Sequence, residues 1–482
     1  MLHWRTIVRL FGILLGLYSL SFLPSVVVSL IYQDAQQWVF VQSLLITATV
    51  GLMFWIPNRG QTDELSVRDG FLFVSVFWIL LSVVGALPFM LGLNLSVTDS
   101  VFESVSGFTT TGATVIIGLD ELPPSVLYHR AQISFLGGMG VVVLAMALLP
   151  LLKVGGSQLY RAETSGISKA DKLTPRISET ARALWLIYSS LTLGCAFAFW
   201  LAGMSFFDAI THAYATVATG GFSNHDASLA YFDSLTIEII AMVFMLLGSV
   251  NFSLHFFAWR RQALRGYVKD EEARSFLAII AGSALLIAIS LQLTETYDSF
   301  WTSLRHSFFT VISVMTTTGF TTESFAQWPL HVPLIVVLVG FIGGCAGSTS
   351  GGLKVVRIVL LLKTATRQLY QLAHPRSVRL VTLGNAPVGE EVLVSILGFT
   401  ILYFATTFVL TVGMMAAGLD LESAFGAVMA TINLVGPGLG EVAATFASVS
   451  PLAKWLGIIG MLIGRLEVFT LLILLMPAFW RP

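Results

Sequence analysis

Phe108-Thr109-Thr110-Thr111-Gly112-Ala113-Thr114 is a run of small hydroxyl residues ending in glycine, set between long apolar segments. It recurs. Thr316-Thr317-Thr318-Gly319-Phe320-Thr321 is nearly a copy, and Val217-Ala218-Thr219-Gly220-Gly221-Phe222 is a looser one. Asn433-Leu434-Val435-Gly436-Pro437-Gly438 keeps the glycine and its approach. The glycines at 112, 220, 319 and 436 lie roughly a hundred residues apart, the mark of one unit used four times. Non-helical backbone at membrane depth is tolerated only where it is buried in protein or lines a water-filled path. Four such loops converging on one axis make a ring of backbone carbonyls, which is how an ion filter is built.

The rest of the chain supplies the membrane. Of 482 residues 56% are hydrophobic and 11% charged, with a mean hydropathy of +0.84. These values exclude a soluble globular class and predict a polytopic membrane protein. Cys195 and Cys345 lie far apart in apolar segments and imply no disulfide framework. Arg5 and Arg9 precede a long apolar run that lacks a small-residue cleavage site, so this run reads as a retained first span.

Two apolar spans, 7–31 and 38–56, precede the repeats. Each repeat then reads as an apolar span, a short helical segment, the glycine loop and a second apolar span. The span pairs fall at about 71–93 and 131–152, 183–203 and 235–258, 275–293 and 332–360, and 391–417 and 451–479. The short segments at about 98–108, 206–217, 303–315 and 420–432 lack the roughly 20 residues a crossing needs, which suits half-membrane pore helices. The expected fold is an all-α polytopic membrane protein. Four span–pore helix–filter loop–span repeats surround one central pore, and two extra N-terminal transmembrane helices bring the crossings to ten. The corresponding divisions are 1–66 for the N-terminal pair, then 67–160, 161–265, 266–380 and 381–482 for the repeats.

Orientation follows from the basic residues. With the N-terminus inside, Arg59 and Arg68, Lys153 through Arg182, Arg260 through Arg274, and Lys354 through Arg379 are all cytoplasmic. Only Arg130, Arg305 and Lys454 fall outside and Arg465 lies within a span, leaving 22 of the 26 inside, as the positive-inside rule requires. Both termini are then cytoplasmic. The outer loops collect acids, among them Asp99, Glu103, Asp120, Glu121, Asp208, Asp226, Asp233, Glu323 and Glu441, which predicts a negative vestibule that concentrates cations.

Three groups of residues carry the expected chemistry. At the loops, glycine's access to positive φ lets successive carbonyls turn toward one axis and replace the water of a potassium ion. The candidate filter residues are Thr110, Thr111 and Gly112; Ala218, Thr219 and Gly220; Thr317, Thr318 and Gly319; and Leu434, Val435 and Gly436. Asp99, Asp208 and Glu422 lie 12 to 14 residues before their glycines, where an acid suits a helix N-terminus. The third repeat places Arg305-His306 near that position instead.

The second group is Gly343-Gly344-Cys345-Ala346-Gly347-Ser348-Thr349-Ser350-Gly351-Gly352, which interrupts the second span of the third repeat. Continuous helix is costly there, at roughly 1 kcal/mol for each glycine relative to alanine. An unwound segment beneath the filter is a candidate gate, with Gly343, Gly344, Gly347, Ser348, Thr349, Ser350, Gly351 and Gly352 as its residues. Lys354 and Arg357 follow it and are placed to relay movement to a cytoplasmic partner. The third group is Arg465 alone. An arginine at the centre of a span costs roughly 2.5–3.5 kcal/mol and must face protein or water, as a pore barrier or as a clamp between spans.

Other chemistries fail on inspection. Gly347-Ser348-Thr349-Ser350-Gly351 has threonine where an intramembrane serine protease needs its nucleophile, and Gly436-Pro437-Gly438-Leu439-Gly440 lacks the spacing and βαβ context of a dinucleotide loop. The eight histidines show no metal-ligand spacing. No cytoplasmic segment is long enough for a nucleotide-binding domain, so regulation must come from another chain.

The loops, together with Gly220-Gly221-Phe222-Ser223-Asn224-His225-Asp226 and Gly436-Pro437-Gly438-Leu439-Gly440-Glu441, resemble the pore loops of the Trk/Ktr/HKT potassium transporters. The resemblance runs over essentially the whole chain, and the two extra N-terminal spans make it more similar to Trk membrane subunits than to their Ktr relatives. It implies a potassium-conducting homodimer in the bacterial inner membrane, with one pore per subunit and a TrkA-like cytoplasmic ring of nucleotide-binding regulatory subunits. It implies potassium as substrate, no cofactor held by this chain and no nucleic acid, and it makes the 343–352 segment the intramembrane loop that closes the path. The fourth loop departs from the others, with Asn433-Leu434-Val435 replacing threonines. A sodium-permeable or ion-coupled symport is the alternative.

Overall fold

The computed structural model describes residues 2–61, 63, 65–148, 177–261, 265–329, 331–384 and 386–481. The basic stretch 153–176 and the expected boundary between 160 and 161 lie outside the described residues. The described chain is predominantly helical. Its one departure from an all-α fold is a small antiparallel hairpin, Thr382–Leu383 with Ala386–Pro387, in which Thr382 pairs with Pro387 and Leu383 with Ala386. Six described helices are long and apolar enough to cross a membrane, and two further bent pairs qualify as one span each.

The N-terminal pair is Trp4–Ser19, continued through Leu20–Phe22 into Leu23–Tyr32, and Gln37–Trp55. The pair docks on the first repeat: Asp34 accepts the Ser125 N–H at 2.9 Å, and the Tyr18 ring lies 5.6 Å from that of Phe108.

The four short helices are Val97–Phe108, Phe206–Val217, Phe300–Met315 and Leu421–Ile432. Each begins on a side-chain cap. Ser96 accepts the Asp99 N–H, Ser205 the Asp208 N–H, Ser299 the Trp301 N–H, and Asp420 the Glu422 N–H. Such a cap is worth about 1 kcal/mol. The cap is what the four share, which explains how the third repeat dispenses with an acid in its first turn.

Three second spans depart from the continuous helices expected at 235–258, 332–360 and 451–479. Leu235–Ser249 meets Phe252–Arg261 at a bend of 95°, and Pro451–Arg465 meets Glu467–Leu475 at 114°. His331–Ile342 stops outright, and helix resumes only at Val355–Ala373. The cause in the second and third repeats is mutual. Ser249 O accepts the Cys345 N–H at 2.9 Å and Gly347 O accepts the Phe252 N–H at 3.0 Å, so each segment takes backbone bonds that a helix would have made internally. In the fourth repeat the break falls at Glu467, whose φ is 55°.

Candidate ion-conduction site

Each short helix ends in the same way. The N–H two residues past its last full turn reaches back five residues: Thr111 to Ser106 O at 2.8 Å, Gly220 to Ala215 O at 2.7 Å, Thr318 to Ser313 O at 2.9 Å, and Val435 to Ala430 O at 2.9 Å. The preceding residues, Thr110, Thr219, Thr317 and Leu434, have φ of 56°, 52°, 55° and 60°. This is a Schellman termination, whose left-handed position is usually glycine. Threonine and leucine there are strained by about 1–3 kcal/mol each, and such strain persists where the surroundings over-determine it.

Counted from these terminations, the glycines of positive φ are Gly112 (79°), Gly221 (64°), Gly319 (81°) and Gly436 (94°). The second loop is therefore shifted by one from the reading by sequence. Gly220 is the counterpart of Thr111, Thr318 and Val435; Ala218 stands at the helix cap with Thr109, Thr316 and Asn433; and Gly221 takes the ring position. Two adjacent glycines leave no side chain to fix the register by eye.

The four loops close on one another in chain order. A Cβ added to Gly112 would lie 2.5 Å from Gly220 O; one on Gly221 would lie 1.9 Å from Thr318 O. One on Gly319 would lie 1.8 Å from Val435 O, and one on Gly436 would lie 2.7 Å from Thr111 O. Each glycine thus abuts the next loop's carbonyl, and the fourth returns to the first around one axis. A cavity opens beyond the ring, with Gly112, Gly221, Gly319 and Pro437 all in its lining.

The carbonyl oxygens of Thr110, Thr111, Thr219, Gly220, Thr317, Thr318, Leu434 and Val435 accept no hydrogen bond from the described residues, although all eight residues are buried. Buried carbonyls without donors are uncommon and call for another partner. Eight such oxygens, two from each loop, fit a dehydrated alkali cation, a partner that donates no proton.

On the side of the ring toward the C-terminal ends of the short helices lies the 343–354 segment. Gly343, Gly347 and Gly352 adopt φ of 74°, 68° and 77°, and Gly344 packs on Ser350. Ser348 donates to Cys345 O at 2.6 Å and Ser350 to the Ser249 hydroxyl at 2.8 Å. The segment touches three loops. The hydroxyls of Thr349 and Thr219 lie 3.1 Å apart, the Gly351 N–H donates to the Thr317 hydroxyl at 2.7 Å, and a Cβ on Gly351 would lie 2.3 Å from Asn433 O. The strained residues of loops two and three thus meet this segment through their side chains.

Two ionisable side chains hold the segment. Arg465 donates to Thr349 O at 2.8 Å and to Gly137 O, on the second span of the first repeat, at 3.0 Å. Of the two alternatives for Arg465, these bonds describe the clamp, which ties the segment to the first repeat through carbonyl oxygens. Glu272, which the sequence did not single out, accepts the Ala346 N–H at 2.8 Å and the Val356 N–H at 3.1 Å, one within the break and one in the first turn of the helix that follows it. Beyond the break, Arg357 pairs with Glu467 at 2.7 Å and stacks on Phe399.

The three basic residues that depart from the inside bias each have an acid. Arg130 pairs with Glu103 at 2.7 Å, Arg305 with Glu238 at 2.6 Å, and Lys454 with Asp99 at 2.7 Å. Arg305 is thus an inter-repeat tie, which accounts for its place on the third short helix. The expected negative vestibule is correspondingly weaker, because Asp99 and Glu103 are neutralised by bases. Nearer the opening, His225 Nδ1 lies 2.5 Å from Asp120 and Nε2 lies 3.5 Å from Asp208, with the ring stacked on Tyr231. Asp226 accepts the N–H groups of Gly118 and Leu119 at 3.0 and 3.1 Å. Burial alone lowers the His225 pKa, but the Asp208 and Asp120 carboxylates outweigh it and raise the value above 6.5.

Residues 36–481 match the family model described as TrkH, cation transport protein. The chain is 48% identical over 479 residues to the Trk system potassium uptake protein TrkH of Halomonas elongata, covering 99% of each chain. It is 48% identical over 482 residues to the protein of that name from Escherichia coli, covering all of both. Its structure superposes on the crystal structure of the potassium transporter TrkH from Vibrio parahaemolyticus with a TM-score of 0.92 at 47% identity, covering 99% of this chain and 100% of that one.

Proposed function

The chain belongs to the TrkH family of cation transport proteins, and on that premise we propose that it takes potassium into the cell through a pore formed by its own four loops. One observation carries this reading: the closed cycle of contacts from Gly112 through Gly221 and Gly319 to Gly436, which surrounds buried carbonyls that lack donors. These oxygens replace the water of the ion, and the membrane potential drives it inward at about 2.3 kcal/mol per charge for each ~100 mV. The work is that of a transporter and not of an enzyme.

The 343–354 segment is the gate, and the arrangement described here is its shut form. Arg465 and Glu272 hold it against the loops through backbone groups. The helix Val355–Ala373 continues from the gate on the basic, cytoplasmic side, where it is placed to transmit docking of a ring of nucleotide-binding regulatory subunits. A homodimer in the bacterial inner membrane, with both termini cytoplasmic, agrees with the charge bias and with the family. Cells lacking their own potassium systems should regain growth at low potassium and take up rubidium when this chain and its regulatory partner are expressed. Absence of rubidium uptake by inserted protein would reject the reading, and sodium uptake at a matching rate would favour a sodium-permeable transporter.

A further inference from the structure

We propose that the buried Glu103–Arg130 pair sets the discrimination between alkali cations, by pegging the backbone just past the glycines of the first two loops. The inference rests on reading those loops as a potassium filter. Glu103 lies on the first short helix and Arg130 on the second span of the same repeat, and their side chains are 0% and 1% exposed. Arg130 Nε donates to Glu103 at 2.8 Å, and the same carboxylate accepts the Val115 N–H and the Thr114 hydroxyl, each at 3.0 Å. From its other branch, Arg130 Nη1 donates to Ser223 O at 3.0 Å, and the guanidinium sits 4.2 Å over the Phe222 ring. Thr114 and Val115 stand two and three residues past Gly112, and Phe222 and Ser223 one and two past Gly221. One ion pair thus fixes the exits of two neighbouring loops.

The peg continues into the second repeat. His212 occupies on the second short helix the place that Glu103 occupies on the first, and its Nε2 meets the Ser223 hydroxyl at 2.9 Å. The counterparts on the third and fourth helices are Thr310 and Ala427, and among the described residues no hydrogen bond ties either side chain to its loop. The third loop is held past its glycine by a neutral bond, from the Ser313 hydroxyl to Phe320 O at 2.7 Å, so among the described residues the charged fork serves the first two loops. A rigid planar fork holds two directions at once, and in a buried site its hydrogen bonds are stronger than at the surface. Selectivity among alkali cations depends on how many carbonyls surround the ion and how firmly they are held, so a peg at this position acts on the ratio of permeabilities and not only on folding. Glu103 and Arg130 are positioning residues: they act on the loops through backbone groups, with Arg130 in the wall of the cavity beyond the ring.

A comparison pair makes the test specific. Glu238 and Arg305 form a similar inter-element ion pair with bonds at 2.6 and 2.8 Å, yet among the described residues their side chains bond to no loop backbone. Potassium, rubidium and sodium fluxes are measured in proteoliposomes, normalised to inserted protein, for E103Q/R130Q, E238Q/R305Q and G319S. The E103Q/R130Q variant is expected to lower the potassium-to-sodium ratio roughly tenfold, equivalent to about 1.4 kcal/mol. E238Q/R305Q is expected to reduce the amount of inserted protein while keeping the parental ratio. If E103Q/R130Q fails to insert, R130K, which keeps the charge but loses the fork, carries the same readout with a smaller shift. A parental ratio in E103Q/R130Q alongside a shifted ratio in G319S overturns the inference alone, as does an equal shift in E238Q/R305Q. A parental ratio in both E103Q/R130Q and G319S overturns the filter reading as well.

Discussion

Gly221 is pressed against Thr318 of the next loop, so closely that a Cβ on the glycine would stand 1.9 Å from the threonine carbonyl oxygen. Gly220, one residue earlier, is less confined: its added Cβ would meet the Ser134 side chain at 3.1 Å. The two positions also differ in backbone, because Gly221 has φ of 64° and Gly220 does not enter the left-handed region. Gly221→Ala is therefore expected to abolish selective potassium uptake, or to lower the potassium-to-sodium ratio by at least roughly tenfold, about 1.4 kcal/mol. Gly220→Ala should retain most of the parental flux and ratio. Rubidium uptake and ion competition in normalised membranes measure both, and the reverse order of severity would reject the register.

Arg465 joins the 343–354 segment, the gate in the proposed function, to another repeat through Thr349 O and Gly137 O. Hydrogen bonds from a charged donor contribute roughly 1.5–3 kcal/mol each, so losing both shifts the gate substantially toward opening. Arg465→Ala should raise potassium flux per inserted protein and reduce its dependence on the regulatory subunit. Liposome flux with and without that subunit checks this, and a fall in flux at normal insertion would mean that the clamp supports the conducting shape instead.

Glu272 accepts two N–H groups, those of Ala346 and Val356, that a continuous helix would spend on carbonyls four residues back. It stabilises the break at the expense of the helix. Glu272→Ala is expected to increase flux in the same direction as Arg465→Ala, whereas Glu272→Gln, which keeps an acceptor oxygen, should change it less. Cysteine accessibility at positions 346 to 352 should rise in parallel. Unchanged accessibility together with unchanged flux would remove Glu272 from the gate.

The same residues show what the sequence could and could not reveal. The short helices were legible almost to the residue, because a serine or aspartate cap opens each one and a polar, glycine-bearing stretch closes it. The ring position in the second loop was not, since Gly220 and Gly221 look alike and only φ separates them. The bends near Val250 and Leu466 were hidden because hydropathy continues across them without proline. Glu272 was invisible for a different reason: its partners are backbone groups 74 and 84 residues away, and backbone has no signature. Arg305 read as an anomaly until Glu238, 67 residues distant, appeared beside it.

His225 makes the outer loops sensitive to pH, and the sign follows from its neighbours. Asp120 and Asp208 face its two nitrogens, His212 lies in a parallel plane 6.1 Å away, Tyr231 covers one face, and Asp226 is adjacent in sequence. The raised pKa means that the protonated ring contributes stability that is fully present below the unfolded value of 6.5 and is lost as pH rises through the higher folded value. The Asp120 carboxyl, held below 3.8 mainly by its hydrogen bond from His225, contributes in the opposite sense and loses its effect only as pH falls through that lower value. The tie is therefore strongest in mildly acidic solution and weakens toward alkaline pH. Hydrogen exchange of the 118–121 and 225–233 backbone should quicken as pH is raised above 6.5 and through the raised value of the histidine, beyond the intrinsic acceleration of exchange. His225→Asn should abolish that excess while leaving exchange in the ring glycines unchanged. An excess that persists in the variant would assign the pH dependence to another group.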